Sequence, residues 1–357
     1  MAAALALAAR GLGRVWPNPA VGCLIVAGGR VVGRARTADG GRPHAETQAL
    51  TQAGAMARGA TAYVTLEPCA HHGQTGPCAD ALIAAGIARV VIAQTDPDPR
   101  VDGGGIARLR AAGIDVVTGV AEASARALQA GFLSRIQRGR PLVTLKLATT
   151  LDGRIATASG ESQWITGPEA RAHVHAQRAC HDAVMVGAGT ARQDDPRLTV
   201  RGLGEDRPQP VRVVLSRRLD VPLDSALTRS AGQIPVWMLH GPKAPQDRRD
   251  ALMAAGVRLH AVTTGAGGGV DVGDALKKLA ELGLTRIYCE GGGALAASLL
   301  SAGLVDRLDC YTAGAAIGAE GTPALGAMGL DSLASAPRLT LSDITRLGND
   351  ILHRWTA

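Results

Sequence analysis

An α/β fold in two domains is predicted by three features of this chain. Short apolar strands alternate with helices along both halves, and 357 residues exceed the size of a typical single core. The alternation is interrupted at Arg138-Gly139-Arg140-Pro141, where Gly139 suits a helix C-cap and Pro141 cannot extend a helix. We therefore place the domain boundary near residue 140 and expect domains at 1–139 and 140–357.

The first domain is predicted to begin with a helix within residues 1–9, followed by two strands around the Gly28-Gly29 turn. A regular strand and helix series follows, as in layered α/β domains. The predicted strands are 20–26, 30–35, 60–66, 89–93 and 115–118, and the predicted helices are 45–57, 79–85, 105–112 and 122–138.

The second domain is predicted to start a new alternation directly after Pro141. The predicted strands are 142–147, 183–186, 211–215, 235–239, 286–289 and 308–312, and the predicted helices are 169–180, 272–282 and 294–302.

Composition narrows the functional classes. Aromatic residues make up only 2% of the chain, which argues against a protein that binds single-stranded nucleic acid by base stacking. The formal charge of +7 is scattered, so phosphorylated small molecules explain it at least as well as nucleic acid does.

The apolar N-terminus has no basic leader, and no apolar stretch reaches 18 residues, so we expect neither a signal peptide nor a membrane span. Six cysteines in so long a chain do not indicate a disulfide scaffold, and we expect a cytoplasmic protein.

Three metal donors and one carboxylate stand out in the first half. They occur in His44-Ala45-Glu46, in Pro68-Cys69 and at Cys78. Zinc-dependent hydrolytic deaminases hold the metal with His and two Cys, leave the fourth position to water, and use a Glu that is not a ligand to move protons. The pattern therefore predicts one Zn²⁺ per chain held by His44, Cys69 and Cys78, with Glu46 as the general acid and base. His44 and Glu46 lie two residues apart, so they can converge only where the chain enters a helix.

Two alternatives remain open for these residues. A closed structural zinc site would use His71 or His72 as a fourth ligand, and the protein would then be a zinc-stabilised binding module without catalytic activity. A nucleic-acid deaminase shares the same zinc ligands, but its signature has two residues between the cysteines, whereas eight separate Cys69 from Cys78.

Signals in the second half are weaker. Glu290-Gly291-Gly292-Gly293 follows a predicted strand and precedes a helix, an arrangement that lets backbone N–H groups approach a phosphate, although it also suits a plain turn. It is not the G-x-G-x-x-G fingerprint of the standard dinucleotide fold. Ser216-Arg217-Arg218 after a strand could bind the 2′-phosphate of NADPH, or could simply be an exposed strand end.

Neighbouring motifs add a resemblance that covers nearly the whole chain. Pro17-Asn18-Pro19-Ala20-Val21-Gly22, His44-Ala45-Glu46 and the stretch from Thr65 to Cys78 closely resemble the deaminase half of the bifunctional riboflavin-biosynthesis deaminase/reductases. A long loop between the cysteines is the rule in that family, and Gly76 is a local departure where the family usually has Pro. Four motifs of the second half resemble the reductase half of the same family and occur in the family's order. They are Lys146-Leu147-Ala148, Thr150-Leu151-Asp152-Gly153-Arg154, Ser162-Gln163-Trp164-Ile165-Thr166 and Asp194-Asp195-Pro196-Arg197-Leu198-Thr199-Val200-Arg201.

The resemblance implies a fold and two activities. The N-terminal domain is expected to be a cytidine-deaminase-like three-layer α/β/α domain, and the C-terminal domain a dihydrofolate-reductase-like α/β domain. The first would remove the pyrimidine amino group of 2,5-diamino-6-ribosylamino-4(3H)-pyrimidinone 5′-phosphate. The second would reduce the ribosyl chain with NADPH to give 5-amino-6-ribitylamino-uracil 5′-phosphate.

The resemblance also implies contacts in the reductase half. NADPH would be bound by Ala148, Trp164, Thr190, Asp194, Ser216, Gly292, Gly293, Ala294, Leu295, Ala296, Ala297 and Ser298. The substrate would be bound by Ser162, Arg178, Leu198, Arg201 and Glu290, and in the deaminase half Asn18 and the loop around His71 and His72 would help to hold the pyrimidine. The ordinary alternative to a binding role is a surface ion pair for any single one of these arginines. It is a turn position for Asp152 and a core position for Trp164.

Two further possibilities concern the whole chain. One alternative is that a single half is an active enzyme and the other serves as a scaffold. We also expect a homo-oligomer, since compact dimers are the commonest assembly of such domains.

Overall fold

The chain folds as two units, Met1–Arg140 and Pro141–Ala357, in a computed structural model that describes residues 1–71, 76–204, 208–265 and 267–357. The first unit ends where its last helix is capped by Gly139 in the left-handed conformation, at a φ of 64°. Pro141 then leads directly into the first strand of the second unit.

The first unit is built on a mixed five-stranded sheet. Its strands are Gly22–Ala27 (β1), Arg30–Arg36 (β2), Thr61–Val64 (β3), Arg89–Ile92 (β4) and Asp115–Val117 (β5). Its helices are Ala2–Ala9 (α1), Ala45–Ala53 (α2), Cys78–Ala84 (α3), Gly104–Ala111 (α4) and Glu122–Arg138 (α5). The strand order is β2-β1-β3-β4-β5, with β1 antiparallel to its neighbours and β3, β4 and β5 parallel. Helix α1 packs against α5, and α3 packs against α2 and α4, which gives the expected three-layer α/β/α arrangement.

Several predicted elements of the first unit are shorter in the structure, among them the strand predicted at 60–66, which covers Thr61–Val64. Two of these differences have a local cause. The strand expected from residue 20 begins at Gly22, because the Val21 N–H donates to the Thr37 hydroxyl instead of to a neighbouring strand. The helix expected to reach residue 57 ends at Ala53, since Gly54 has a φ of 53° and the chain continues as a 3₁₀ turn over Gly54–Ala57.

The second unit has eleven strands among its described residues, nine of which form one sheet while two short ones pair with each other. Its strands are Leu142–Thr150 (β6), Arg154–Ala156 (β7), Ala183–Gly187 (β8), Val211–Leu215 (β9), Val236–His240 (β10), Arg258–Ala261 (β11), Arg286–Cys289 (β12), Arg307–Ala313 (β13), Thr322–Pro323 (β14), Thr340–Leu347 (β15) and Asp350–Thr356 (β16). Its helices are Pro168–Ala179 (α6), Ala188–Gln193 (α7), Ala226–Arg229 (α8), Gln246–Ala254 (α9), Val272–Glu281 (α10) and Gly293–Ser301 (α11).

The sheet order places the site of the second unit. The order is β11-β10-β9-β8-β12-β6-β13-β16-β15, parallel from β11 to β13, while β7 and β14 pair separately. Strand β12 is inserted between β8 and β6, so the carboxyl ends of these three strands meet at one edge, where open α/β sheets bind ligands. Their inward side chains, such as Val184, Val186 and Ile287, are fully buried.

The carboxyl-terminal hairpin of β15 and β16 is a feature that the sequence analysis missed. The sequence signal for it was Gly348-Asn349, a typical two-residue hairpin turn, between two runs in which polar and apolar residues alternate.

Among the helices that the structure describes, none has the length and apolar character needed to cross a bilayer.

Candidate functional site

The start of α2 brings His44 and Glu46 to one place. His44 is extended, with φ −67° and ψ 160°, and is the residue that precedes the helix, whereas Glu46 lies in the first helical turn. The change from extended to helical backbone lets two side chains only two residues apart face the same point. Glu46 is 3% exposed, and its Oε2 atom has no hydrogen-bond partner in the described part of the chain.

Cys69 and Cys78 complete a three-donor cluster with His44. Cys69 follows the end of β3, and Cys78 is the first residue of α3. The backbone N–H of Cys78 has no partner within the helix at this position, and it donates to Cys69 Sγ at 3.3 Å. His44 Nδ1 lies 3.3 Å from Cys78 Sγ and 3.8 Å from Cys69 Sγ, and the three donor atoms lie within 4.8 Å of one another. One imidazole nitrogen and two sulfurs at these separations fit a tetrahedral Zn²⁺ with one open position.

The electrostatics of this cluster are those of one acidic thiol beside a buried carboxyl group. Cys78 donates its S–H to Cys69, which lowers the pKa of the Cys69 thiol to about 4 and raises that of Cys78 well above its usual value. Burial raises the pKa of Glu46 to about 7. A buried carboxyl whose pKa lies near neutrality can both accept and release a proton.

Glu67 holds the loop beside this cluster, and it is a residue that the sequence analysis missed. Its buried carboxylate accepts hydrogen bonds from the backbone N–H groups of Asp96 at 3.1 Å, Gly103 at 3.2 Å and Ile106 at 3.0 Å. These bonds tie the Pro68-Cys69 segment to the loop between β4 and α4 and to the first turn of α4. Within that loop, Arg100 pairs with Asp98 at 2.5 Å.

Two of the residues expected to hold the pyrimidine, Asn18 and His71, lie in the described part of the chain. His71 Nδ1 is buried without a hydrogen-bond partner among the described residues, which leaves it available to a ligand. Asn18 Nδ2 donates to the Gly41 carbonyl at 3.1 Å, so one of its amide hydrogens is already used. His72 lies outside the described residues.

The packing of α4 against the Cys69 segment leads to a first prediction. A Cβ atom at Gly105 would lie 1.9 Å from the Pro68 carbonyl oxygen, whereas one at the adjacent Gly104 would lie 3.5 Å from Ala70 Cβ, an ordinary contact. We expect Gly105→Ala to lower the free energy of unfolding by about 1–3 kcal/mol. It should also weaken zinc binding, because Pro68 precedes Cys69.

Gly104→Ala is the matched control. It adds the same methyl group one position away and should leave stability unchanged or raise it by about 0.5–1 kcal/mol. Thermal unfolding and metal analysis of the two variants check both expectations. Equal stability and equal zinc content in the two variants would contradict the close approach of α4 to Pro68.

A buried ion pair in the second unit joins helix α6 to the residue that follows strand β12. Arg178 on α6 donates from Nε to Glu290 Oε1 at 2.6 Å and from Nη2 to Oε2 at 2.9 Å, and the side chains are 12% and 9% exposed. Burial opposes the ionisation of Glu290, but Arg178 and Lys146 outweigh it and hold the pKa of this carboxyl below its usual value.

Lys146 on β6 lies in the same polar cluster and was not singled out from the sequence as a site residue. Burial lowers the pKa of its amine, while the nearby carboxylates of Glu290 and Asp194 oppose that shift. The signal for it was a lone lysine between Leu145 and Leu147 in a predicted buried strand. A lysine is retained in such a strand when carboxylates or a ligand face it.

The glycine run after β12 forms a close junction at the start of α11. The Gly292 N–H donates to the Thr190 hydroxyl at 3.1 Å, and a Cβ atom at Gly293 would lie 3.1 Å from the Pro323 carbonyl oxygen. Within the described ranges, the N–H groups of Gly293 and Ala294 have no hydrogen-bond partner. Free N–H groups at a helix start, next to a hydroxyl, fit the phosphates of a dinucleotide.

The other predicted cofactor residues differ in how accessible they are. Trp164 is 67% exposed, so it is not a core residue, and the Arg171 guanidinium lies 4.7 Å from its ring centre. Ser216 is 1% exposed and its hydroxyl donates to Asp220 at 2.8 Å. Asp194, Ala294 and Ser298 are exposed, Ala148, Thr190 and Leu295 are half-buried, and Ala296 and Ala297 are buried.

The predicted substrate residues are also spread between surface and core. Ser162 is half-buried, Leu198 is 3% exposed, and Arg201 is exposed. Asp152 is a turn residue, because its carboxylate accepts from the Gly318 N–H at 2.7 Å and from the Thr150 hydroxyl.

Comparison with known proteins matches both units. A family described as the cytidine and deoxycytidylate deaminase zinc-binding region matches residues 1–94, and the RibD C-terminal domain matches residues 141–353. The riboflavin biosynthesis protein RibD of Escherichia coli is 41% identical over 99% of this chain and 97% of its own length. The RibD of Aquifex aeolicus is 41% identical over 99% and 96%.

Solved structures agree with these sequence matches. The structure of Acinetobacter baumannii RibD superposes with a TM-score of 0.89 at 39% identity, covering 99% of this chain and 97% of that one. A diaminohydroxyphosphoribosylaminopyrimidine deaminase/5-amino-6-(5-phosphoribosylamino)uracil reductase from Thermotoga maritima superposes with a TM-score of 0.86 at 32% identity, covering 100% and 97%. The chain therefore belongs to the RibD family of bifunctional deaminase/reductases of riboflavin biosynthesis.

Proposed function

We propose that the two reactions of this bifunctional enzyme are divided between its two units, deamination in residues 1–139 and reduction in residues 140–357. The first reaction is the hydrolytic deamination of 2,5-diamino-6-ribosylamino-4(3H)-pyrimidinone 5′-phosphate, and the second is reduction of the ribosyl chain to the ribityl chain. The cofactors are zinc and NADPH. The substrate is thus a phosphorylated small molecule.

In the deaminase unit, His44, Cys69 and Cys78 would hold the metal. Zinc bound there supplies Lewis-acid activation of water. Glu46 would remove a proton from the attacking water and deliver one to the departing amine, a role supported by its burial and its unpartnered Oε2 among the described residues. Asn18 and the loop containing His71 and His72 would orient the pyrimidine.

In the reductase unit, we assign the cofactor to residues Gly292–Ser298 at the start of α11, together with Ala148, Trp164, Thr190, Asp194 and Ser216. These residues were expected in a loop, but from Gly293 onward they are helical. NADPH supplies the hydride, so the protein has to orient the reactants and exclude water. The free N–H groups of Gly293 and Ala294 support phosphate binding at the start of α11. Ser162, Arg178, Leu198, Arg201 and Glu290 would bind the substrate, with Arg201 pairing with its phosphate and Glu290 accepting from a hydroxyl or ring N–H.

The convergence of His44, Cys69 and Cys78 beside Glu46 is the observation that carries the deaminase assignment. Mass spectrometry of the diaminopyrimidine ribosyl phosphate, incubated with zinc-loaded protein with and without NADPH, tests both halves. Exchange of amino for oxo without NADPH, and addition of two hydrogens only with NADPH, is the expected result. No exchange in either case, with zinc bound, would favour a binding module.

The chain is further proposed to assemble as a homo-oligomer in the cytoplasm, where its zinc-binding thiols stay reduced. The face of β15 and β16 that points away from α6 carries Leu341, Ile344 and Ile351, which are 45%, 62% and 49% exposed. Such apolar surface on a sheet edge suits a second copy of this chain.

A substitution on this face tests the assembly. Ile344→Asp should shift the protein toward the monomer in light scattering at micromolar concentration, because it places a charge in the contact. Val31→Asp, at another exposed apolar strand position, should not. An unchanged mass for Ile344→Asp would exclude this face as the contact.

A further inference from the structure

One backbone segment of the second unit is held by side chains and not by a strand or a helix. It runs from Leu198 to Arg201 and includes two of the residues assigned to the substrate. Gln209 Oε1 accepts from the Val200 N–H at 2.7 Å, and Gln209 Nε2 donates to the Val200 carbonyl at 3.1 Å. One amide group thus satisfies both backbone polar groups of Val200, as a neighbouring strand would.

Two side chains of helix α6 bond to the backbone of the residues on either side of Val200. Arg178 Nη1 donates to the Thr199 carbonyl at 2.8 Å, and the Arg201 N–H donates to His175 Nδ1 at 3.2 Å. His175 and Arg178 lie three residues apart on α6 and so share one face. Three consecutive residues, Thr199, Val200 and Arg201, are therefore fixed through their backbones by three side chains.

The ends of the segment show what this clamp holds in place. Leu198 has a φ of 53°, a left-handed conformation that a leucine keeps only where its surroundings enforce it. At the other end, the exposed Arg201 has no carboxylate within ion-pair distance among the described residues. Its neighbours Arg178 and Arg197 are cations, so the charge around Arg201 suits an anionic ligand.

We propose that Gln209 is a positioning residue that fixes Arg201 for the phosphate of the reductase substrate. It acts through the backbone of Val200, and a fixed arginine binds a phosphate better than a mobile one because less conformational entropy is lost. The inference rests on the proposed function, which assigns Arg201 to the substrate. It adds to that function a residue responsible for preferring the phosphorylated substrate.

The test compares reduction of 5-amino-6-(5-phosphoribosylamino)uracil with reduction of the same compound without its phosphate. Gln209→Ala should raise KM for the phosphorylated compound by about tenfold, since two hydrogen bonds of the clamp are lost, and should change kcat by less than about twofold. The preference for the phosphorylated compound should fall by the same factor. KM for NADPH and the deaminase activity of the same chain should not change.

Two other variants control for folding. Gln209→Glu keeps an acceptor for the Val200 N–H but cannot donate to its carbonyl, so its effect on KM should have the same direction. Gln246→Ala removes a surface amide that donates to Asp250 on its own helix, and should have no effect. If Gln209→Ala lowers kcat, NADPH affinity and thermal stability together while the phosphate preference stays, Gln209 is merely structural and the inference is wrong.

Arg201→Ala separates this inference from the proposed function. If Arg201→Ala leaves the phosphate preference intact, the assignment of Arg201 to the substrate fails. If Arg201→Ala removes the preference and Gln209→Ala does not, only the positioning role fails. In the double variant, Gln209→Ala should add nothing to the effect of Arg201→Ala, because Gln209 acts through that arginine.

Discussion

Replacing Glu46 by Gln is expected to lower the rate of deamination by about 100- to 10,000-fold, the usual contribution of a general acid and base. The amide keeps the size of the side chain but cannot take a proton from water. Reduction of the uracil substrate should be unaffected, since Glu46 lies in the other unit. Mass spectrometry of each reaction, with its own substrate, measures both rates.

The stability of Glu46→Gln should not fall with its activity. Glu46 Oε2 is buried without a partner, so a neutral amide should leave the thermal midpoint unchanged or raise it. Zinc content should stay the same, because we assign Glu46 to proton transfer and not to the metal. A deamination rate within tenfold of the original would exclude Glu46 as the proton carrier, and loss of both activities would contradict independent sites.

Glu67→Gln provides the matched contrast. Glu67 accepts from three backbone N–H groups, so an amide there turns its NH₂ toward at least one of those donors. We expect this variant to lose stability and to retain more deaminase activity than Glu46→Gln does. The two substitutions make the same chemical change on two buried carboxyl groups and separate catalysis from structure.

Replacing Arg178 by Met is expected to destabilise the second unit by about 3–5 kcal/mol and to abolish reduction, because it leaves the Glu290 carboxylate buried without its partner. Three of the four tryptophans belong to residues 141–357, so tryptophan fluorescence during denaturation reports mainly on this unit. Deamination should persist under native conditions. The double variant Arg178→Met and Glu290→Gln should recover stability but not reduction.

This substitution should also change how stability depends on pH. In the unaltered protein the pKa of Glu290 is depressed, so its contribution to stability is present above the unfolded pKa and is lost as pH falls through the folded pKa. Without Arg178, burial should raise that pKa, and the variant should lose stability as pH rises through the raised value. The stability difference between the two proteins should therefore shrink between pH 8 and pH 5. A constant difference would mean that Glu290 does not become an unpaired buried charge.

Local patterns were sufficient for much of the fold. The helix at Glu122–Arg138 and the strands Val211–Leu215 and Arg286–Cys289 were predicted at their observed bounds, because apolar periodicity and helix caps depend on adjacent residues. The helix predicted to reach residue 57 ends at Ala53, since Gly54 takes a positive φ and the chain continues as a 3₁₀ turn. The β15 and β16 hairpin was missed because its outward side chains are exposed and its alternation is weak.

The sequence by itself determined which groups could perform the chemistry. The donors His44, Cys69 and Cys78, the carboxylate of Glu46 and the glycine run at residues 291–293 are recognisable because zinc and phosphate chemistry demand particular residue types near a helix start. Their types and their order along the chain needed no coordinates.

Only the tertiary structure decided which of these groups are already bound to other residues and which are available. Glu290 pairs with Arg178 across 112 positions of the chain, Glu67 binds backbone groups up to 39 positions away, and the Ser216 hydroxyl donates to Asp220. Such pairings depend on how strands are ordered in the sheet, and that order is set by the burial of the whole apolar surface, to which no single motif is sensitive.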